Sequence, residues 1–141
     1  MERRYRGMKL QWTQDLSVGV EEIDSQHKEL FDRINNLDSA MKQGRAKEEV
    51  VRLIEFLDKY VIIHFGAEEQ YMTAYNYTGY VLHKTKHDWF KKEFSDIRTK
   101  LDAEGITPDL IILSNNLLIT WFSNHIRSID MMLGSFLKPK I

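Results

Sequence analysis

Five histidines and two carboxylates carry the chemistry this sequence is equipped for. His64 and Glu68 stand four residues apart, as do His83 and His87; His27 is alone, and His125 precedes Asp130 by five positions. On a helix an i, i+4 pair lies about 40° apart around the axis and one turn apart along it, so both members can reach one point. The chain has no cysteine, which removes thiolate nucleophiles, disulfides, iron–sulfur clusters and cysteine-based zinc sites together. Any metal must be held by His, Asp or Glu, and neutral imidazoles with carboxylates suit iron, copper, nickel, zinc or manganese rather than calcium.

These polar residues sit on apolar stripes. Ile23, His27, Leu30, Ile34, Leu37 and Met41 step by threes and fours, as do Val50, Ile54, Leu57, Val61, His64, Glu68 and Tyr71. A third stripe runs Tyr80, His83, His87, Phe90, Phe94, Ile97 and Leu101, and a fourth includes Leu118, Phe122, His125, Ile129 and Met132. Such spacing marks helices with one buried seam. Gly44 and Gly105 read as stops, the second helix ends near Ala74, and Thr107-Pro108 reads as an N-cap with proline opening a fourth helix to about Leu133. Long helices joined by short turns predict an all-α protein, an antiparallel up-down-up-down four-helix bundle over residues 21–133, with an irregular N-terminal arm (1–20) and a C-terminal tail (134–141).

Composition sets the outer limits. With 141 residues, 43% apolar and 29% charged, the chain fits one domain. Its 20 basic and 21 acidic residues leave a formal charge of −1, which gives no electrostatic case for nucleic acid or an anionic membrane as partner. No apolar run approaches a membrane span and the first ten residues lack a secretory h-region, so a cytoplasmic protein is expected. The cluster Arg3, Arg4 and Arg6 reads as a solvated terminus. Tyr71, Tyr75, Tyr77 and Tyr80 read as packing at the bundle end, and Met131 and Met132 as core filler rather than ligands.

A carboxylate or several imidazoles taken out of water without partners is costly, so polar residues on every buried seam require a common reason. In an antiparallel bundle the starts of helices one and three share an end with the finishes of helices two and four. His27, His64, Glu68, His83, His87, His125 and Asp130 then fall in one layer. Asp130 fits least well: five residues after His125 it is turned by about 140° on a regular helix, which leaves it a surface carboxylate unless a π-bulge or a long sideways reach brings it in. If two carboxylates and a water-derived oxygen bridge two metals, five histidines divide most evenly as three and two, and one metal keeps an open position for a small molecule.

As a set these motifs resemble the hemerythrin family, specifically its single-domain bacterial members. The resemblance spans nearly the whole chain: Trp12, Ser17-Val18-Gly19-Val20, Ile23-Asp24-Ser25-Gln26-His27-Lys28, His64-Phe65-Gly66-Ala67-Glu68-Glu69 with Met72, His83-Lys84-Thr85-Lys86-His87, Trp121-Phe122-Ser123-Asn124-His125-Ile126 and Asp130. It departs at Thr78, where many relatives carry proline. It implies a non-haem di-iron centre, oxo- or hydroxo-bridged, with His83, His87 and His125 on one iron, His27 and His64 on the other, and Glu68 and Asp130 bridging. It further implies reversible O2 binding at the two-histidine iron for storage, delivery or buffering, NO and small anions being other ligands for that position. The oxygen pocket is expected among Phe31, Phe65, Phe122, Ile126 and Ile129, which by themselves read only as core. The alternatives are an O2, redox or NO sensor acting through a partner protein as yet unknown, and a di-iron peroxidase-like enzyme. Against the enzyme stands the absence of the Glu-x-x-His pairing of carboxylate-rich di-iron proteins from these stripes.

Overall fold

The computed structural model describes residues 11–141; the arginine cluster lies outside the described residues. The chain forms an antiparallel four-helix bundle: α1 (Glu21–Lys42), α2 (Ala46–Ala74), α3 (Tyr80–Glu104) and α4 (108–137), with no strand among the described residues. The turns lie where the sequence places them. Gly105 takes φ +75°, a left-handed conformation that glycine adopts without strain, and closes α3 by donating its N–H to Leu101. Thr107 caps α4 by accepting a hydrogen bond from the Leu110 N–H at 3.1 Å, with Pro108 in the first turn.

The fourth helix departs from regular geometry. Pro108–Asn115 is α-helical, Asn116–Phe122 and His125–Asp130 are π-helical, and Met131–Leu137 is α-helical again. On a regular helix residues four apart drift by about 40° per step; the wider π turns drift the opposite way, so alternating the two keeps every fourth residue on one face. The buried face therefore runs Leu118, Phe122, Ile126, Asp130 and then Leu133 and Leu137. The predicted stripe through Ile129 and Met132 is thereby corrected: Ile129 is half-buried on the outer flank and Met132 is 54% exposed, not core filler.

Two apolar clusters flank the polar layer. The larger contains Leu30, Phe31, Ile34, Leu57, Val61, Phe65, Phe90, Phe122 and Ile126 among others; the smaller contains Val18, Val20, Ile23, Met72, Leu133 and Leu137. Each helix passes from one cluster to the other through its histidines. Tyr71, Tyr77 and Tyr80 pack on the smaller cluster, as the sequence suggests, whereas Tyr75 is 37% exposed. No helix among the described residues is long and apolar enough to cross a membrane.

The arm closes the site end. Asp24 accepts hydrogen bonds from the Val18 N–H at 2.9 Å and the Ser17 hydroxyl at 2.6 Å, which seats Val18 fully buried in the smaller cluster. Opposite it α4 continues to Leu137, beyond the end expected near Leu133, because Gly134 and Leu137 are buried by this arm. A Cβ on Gly134 would lie 2.7 Å from the Val18 Cα, a backbone atom that cannot step aside. Gly134→Val is expected to destabilise the chain by about 1–3 kcal/mol in urea unfolding. An unchanged midpoint would show that the arm does not close this end.

Candidate metal centre

All seven polar residues named from the sequence come together in one layer, and each is at least 97% buried. The five histidines present Nε2 inward. Glu68 Oε1 lies 2.9 Å from His87 Nε2 and 3.3 Å from His83 Nε2, while Asp130 Oδ1 lies 3.0 Å from His83 Nε2 and 3.1 Å from His125 Nε2. The second oxygens face the other way. Glu68 Oε2 is 3.5 Å from both His27 and His64 Nε2, and Asp130 Oδ2 is 3.0 Å from His27 Nε2. Two ligand clusters result, Glu68, His83, His87, His125, Asp130 and His27, His64, Glu68, Asp130, each with donor atoms within 4.8 Å of one another. The two carboxylates belong to both.

The π turn over His125–Asp130 makes this possible. It turns Asp130 to the interior face that a regular helix would have carried it past, so the condition attached to this residue on spacing grounds is met. His64 and Glu68 on α2, and His83 and His87 on α3, converge through ordinary i, i+4 geometry.

The donor set fits a cation. Both oxygens of Glu68 and Asp130, and Nε2 of His83, His87 and His125, are buried without a hydrogen-bond partner, and His27 and His64 aim Nε2 atoms at each other across 3.1 Å. A hydrophobic core does not leave so many aligned lone pairs unsatisfied unless a positive centre takes them. Two outer contacts fix ring orientation: Gln26 Oε1 meets His64 Nδ1 at 2.7 Å, and Glu69 Oε2 meets His87 Nδ1 at 2.9 Å. Sequence reasoning did not single these two out as site residues. Their only signal is adjacency to His27 and Glu68 within the quoted motifs. Of the expected pocket residues, Phe31, Phe65, Phe122 and Ile126 are buried beside the layer, with Phe65 stacked on His87 at 3.8 Å. Ile129 instead lines an outer groove between α3 and α4.

Without metal the layer balances its own charge. Burial lowers the basicity of His27 and His83, but the carboxylates of Asp130 and Glu68 at 3.0–3.5 Å outweigh it and raise each from 6.5 to about 9. His64 is lowered to about 4, chiefly by burial. Burial pushes both carboxyls up, and Asp130 adds to this for Glu68, yet the surrounding histidines hold both well below the usual range. The charged forms of His27 and His83 are thus favoured beside the two carboxylates. The raised histidines stabilise the fold fully below 6.5, and that stability is lost as pH rises through about 9; the carboxylates' share is lost as pH falls below their ordinary values. The melting midpoint of metal-free protein is therefore expected to fall between pH 6.5 and about 9. A midpoint that climbs over that interval would refute this charge pairing.

Comparison with known proteins agrees with this geometry. Residues 18–137 match the family model for the hemerythrin HHE cation binding domain. A bacteriohemerythrin of Pseudomonas aeruginosa is 35% identical over 122 residues, covering 86% of this chain and 76% of its own. A hemerythrin-like protein of Naegleria gruberi is 33% identical over 120 residues, covering 85% of this chain and 87% of its own. A crystal structure of wild-type hemerythrin superposes with a TM-score of 0.69 at 28% identity, over 92% of this chain and 98% of that one. With its histidine and carboxylate layer enclosed by the same bundle, this chain belongs to the hemerythrin family.

Proposed function

We propose that the chain binds O2 reversibly at a non-haem pair of irons, for oxygen storage, delivery or buffering. In this reading His83, His87 and His125 would hold one iron, His27 and His64 would hold the other, and Glu68 and Asp130 would be shared by both. The observation that carries it is the unequal division of five Nε2 atoms about two shared carboxylates. With both carboxylates shared, the side supplied by two histidines would offer one fewer protein donor and so leave room for a small ligand. The bound irons would supply the redox chemistry of O2 capture. NO and small anions are the competing occupants of the same position.

The chain's own residues set the conditions for reversibility. Phe31, Phe65, Phe122 and Ile126 keep bulk water from the layer, and Ile23, Met72 and Leu133 close its other side. Dry surroundings slow proton delivery and the loss of bound oxygen as a reduced product. Gln26 and Glu69 hold the rings of His64 and His87 with Nε2 inward. They do so differently: the neutral amide supports a histidine of the two-histidine group, and the carboxylate supports one of the three-histidine group.

An anaerobic-to-air optical titration of reduced, iron-quantified protein tests the reading. Two irons per chain and a charge-transfer band that appears with O2 and fades on its removal are expected; irreversible oxidation without such a band would overturn it. His64→Ala and His125→Ala are each expected to lose iron and lower the melting midpoint, whereas the exposed Lys47→Ala does neither; equal iron in all three would remove the ligand assignment. Glu69→Gln is expected to weaken iron retention against a chelator by about 10–100-fold. Retention equal to the parent chain would show that the His87 contact is not used.

A further inference from the structure

Aromatic rings lead from the metal layer to solvent in one direction through oxidisable side chains. Trp121 on α4 stacks on His125 with ring centroids 4.5 Å apart and planes 12° apart, and Trp89 on α3 stacks on Trp121 at 6.2 Å and 18°. Trp121 is half-buried, while Trp89 is 47% exposed at an open groove of about 820 Å³ between the two helices. Glu93, Asp96, Lys86 and Lys100 line the same groove, so the exposed indole meets a polar, solvated edge.

The other rings against the histidines do not make such a path. Phe65 stacks on His87, but a phenyl ring is not oxidised under these conditions. Tyr60 stacks on His64 at 5.2 Å, yet it is buried, and its hydroxyl donates to the Gln26 carbonyl, which cannot take up the proton a tyrosine loses on oxidation. The ring beyond Tyr60 is Phe56. An indole, in contrast, can give up an electron first and its proton later. Trp121 can therefore pass the oxidising equivalent on, and Trp89 can lose its proton to water.

We infer that Trp121 and Trp89 form a relay that drains oxidising equivalents from the metal centre to the surface, where a small one-electron donor in solvent quenches them. The inference rests on the di-iron reading above. Hydrogen peroxide is the oxidant: its reduction to two waters takes two electrons and two protons. Each passage moves one electron from Trp121 to the centre and one from Trp89 to Trp121. Trp89 releases its indole proton to solvent and is restored by one electron and one proton from the donor, for which ascorbate is the probe. Two passages, with two protons from solvent, complete one peroxide. The relay spares the histidine ligands and Tyr60 from oxidation.

The test treats iron-loaded protein with one equivalent of hydrogen peroxide per centre and maps oxygenated residues by peptide mass spectrometry. Iron content and the optical spectrum are recorded first for the parent chain, Trp121→Phe and Trp89→Phe. The parent is expected to carry its oxidation at Trp89, to be protected by ascorbate and to show a transient tryptophan radical by electron paramagnetic resonance. In Trp121→Phe oxidation should leave Trp89 and appear at Tyr60 or the ligand histidines, and in Trp89→Phe it should stop at Trp121. Trp12, the third tryptophan, has no ring contact with the layer and should stay intact. Equal oxidation of Trp89 in iron-free protein or in Trp121→Phe would overturn the relay, since peroxide would then attack the exposed ring directly. So would an iron-loaded parent with Trp89 unmodified and no radical. A parent chain that takes up no iron would instead sink the di-iron reading itself, and the relay with it.

Discussion

Two carboxylates with no hydrogen-bond partner are held in the centre of a four-helix core, and the surrounding structure answers to them. Glu68 and Asp130 are fully buried; each turns one oxygen toward two imidazoles of the three-histidine group, and the other toward His27, which for Glu68 also meets His64. Burying one such charge unpaired would cost several kcal/mol, a large share of a small domain's net stability. The arrangement holds only because all four helices deliver imidazole nitrogens or carboxylate oxygens to the same level. In the metal-free chain the charged forms of His27 and His83 are favoured; were cations to take the same nitrogens, those protons would have to leave. Metal uptake at these atoms would therefore be coupled to folding stability.

That requirement explains the irregular parts of the molecule. The π turns of α4 would be a defect in a helix chosen for packing alone, since they stretch the backbone hydrogen-bond ladder. They place Asp130 inward, and they swing Ile129 and Met132 outward as the geometric consequence. The N-terminal arm has a parallel role at the other side of the layer. Asp24 seats Val18 over Gly134, so the polar layer lies between two apolar clusters rather than at an open bundle end. Enclosure on both sides lowers the local dielectric, which strengthens every attraction between the carboxylates and a cation.

The helices and most of the site were legible from residue order because their signals are local. Apolar steps of three and four, a glycine stop at Gly105 and the Thr107-Pro108 start each depend on a few neighbouring residues. His64 with Glu68, and His83 with His87, were readable for the same reason: an α-helix maps four-residue spacing onto one face. Gln26 and Glu69 were not, because an orienting contact to a ring nitrogen leaves no periodic trace and depends on how two helices are rotated against each other.

The sequence by itself determined a helical bundle, a cysteine-free donor set and the end of the bundle at which that set gathers, since helix periodicity and antiparallel order follow from the chain alone. Only the tertiary structure decided which oxygen of each carboxylate faces which histidines, that Asp130 points inward, and that Ile129 and Met132 do not. Those outcomes depend on the pitch of α4 and on the mutual rotation of four helices. Both are set by the energy of the packed whole: the strain of a widened turn is accepted where it lets a buried carboxylate meet its partners.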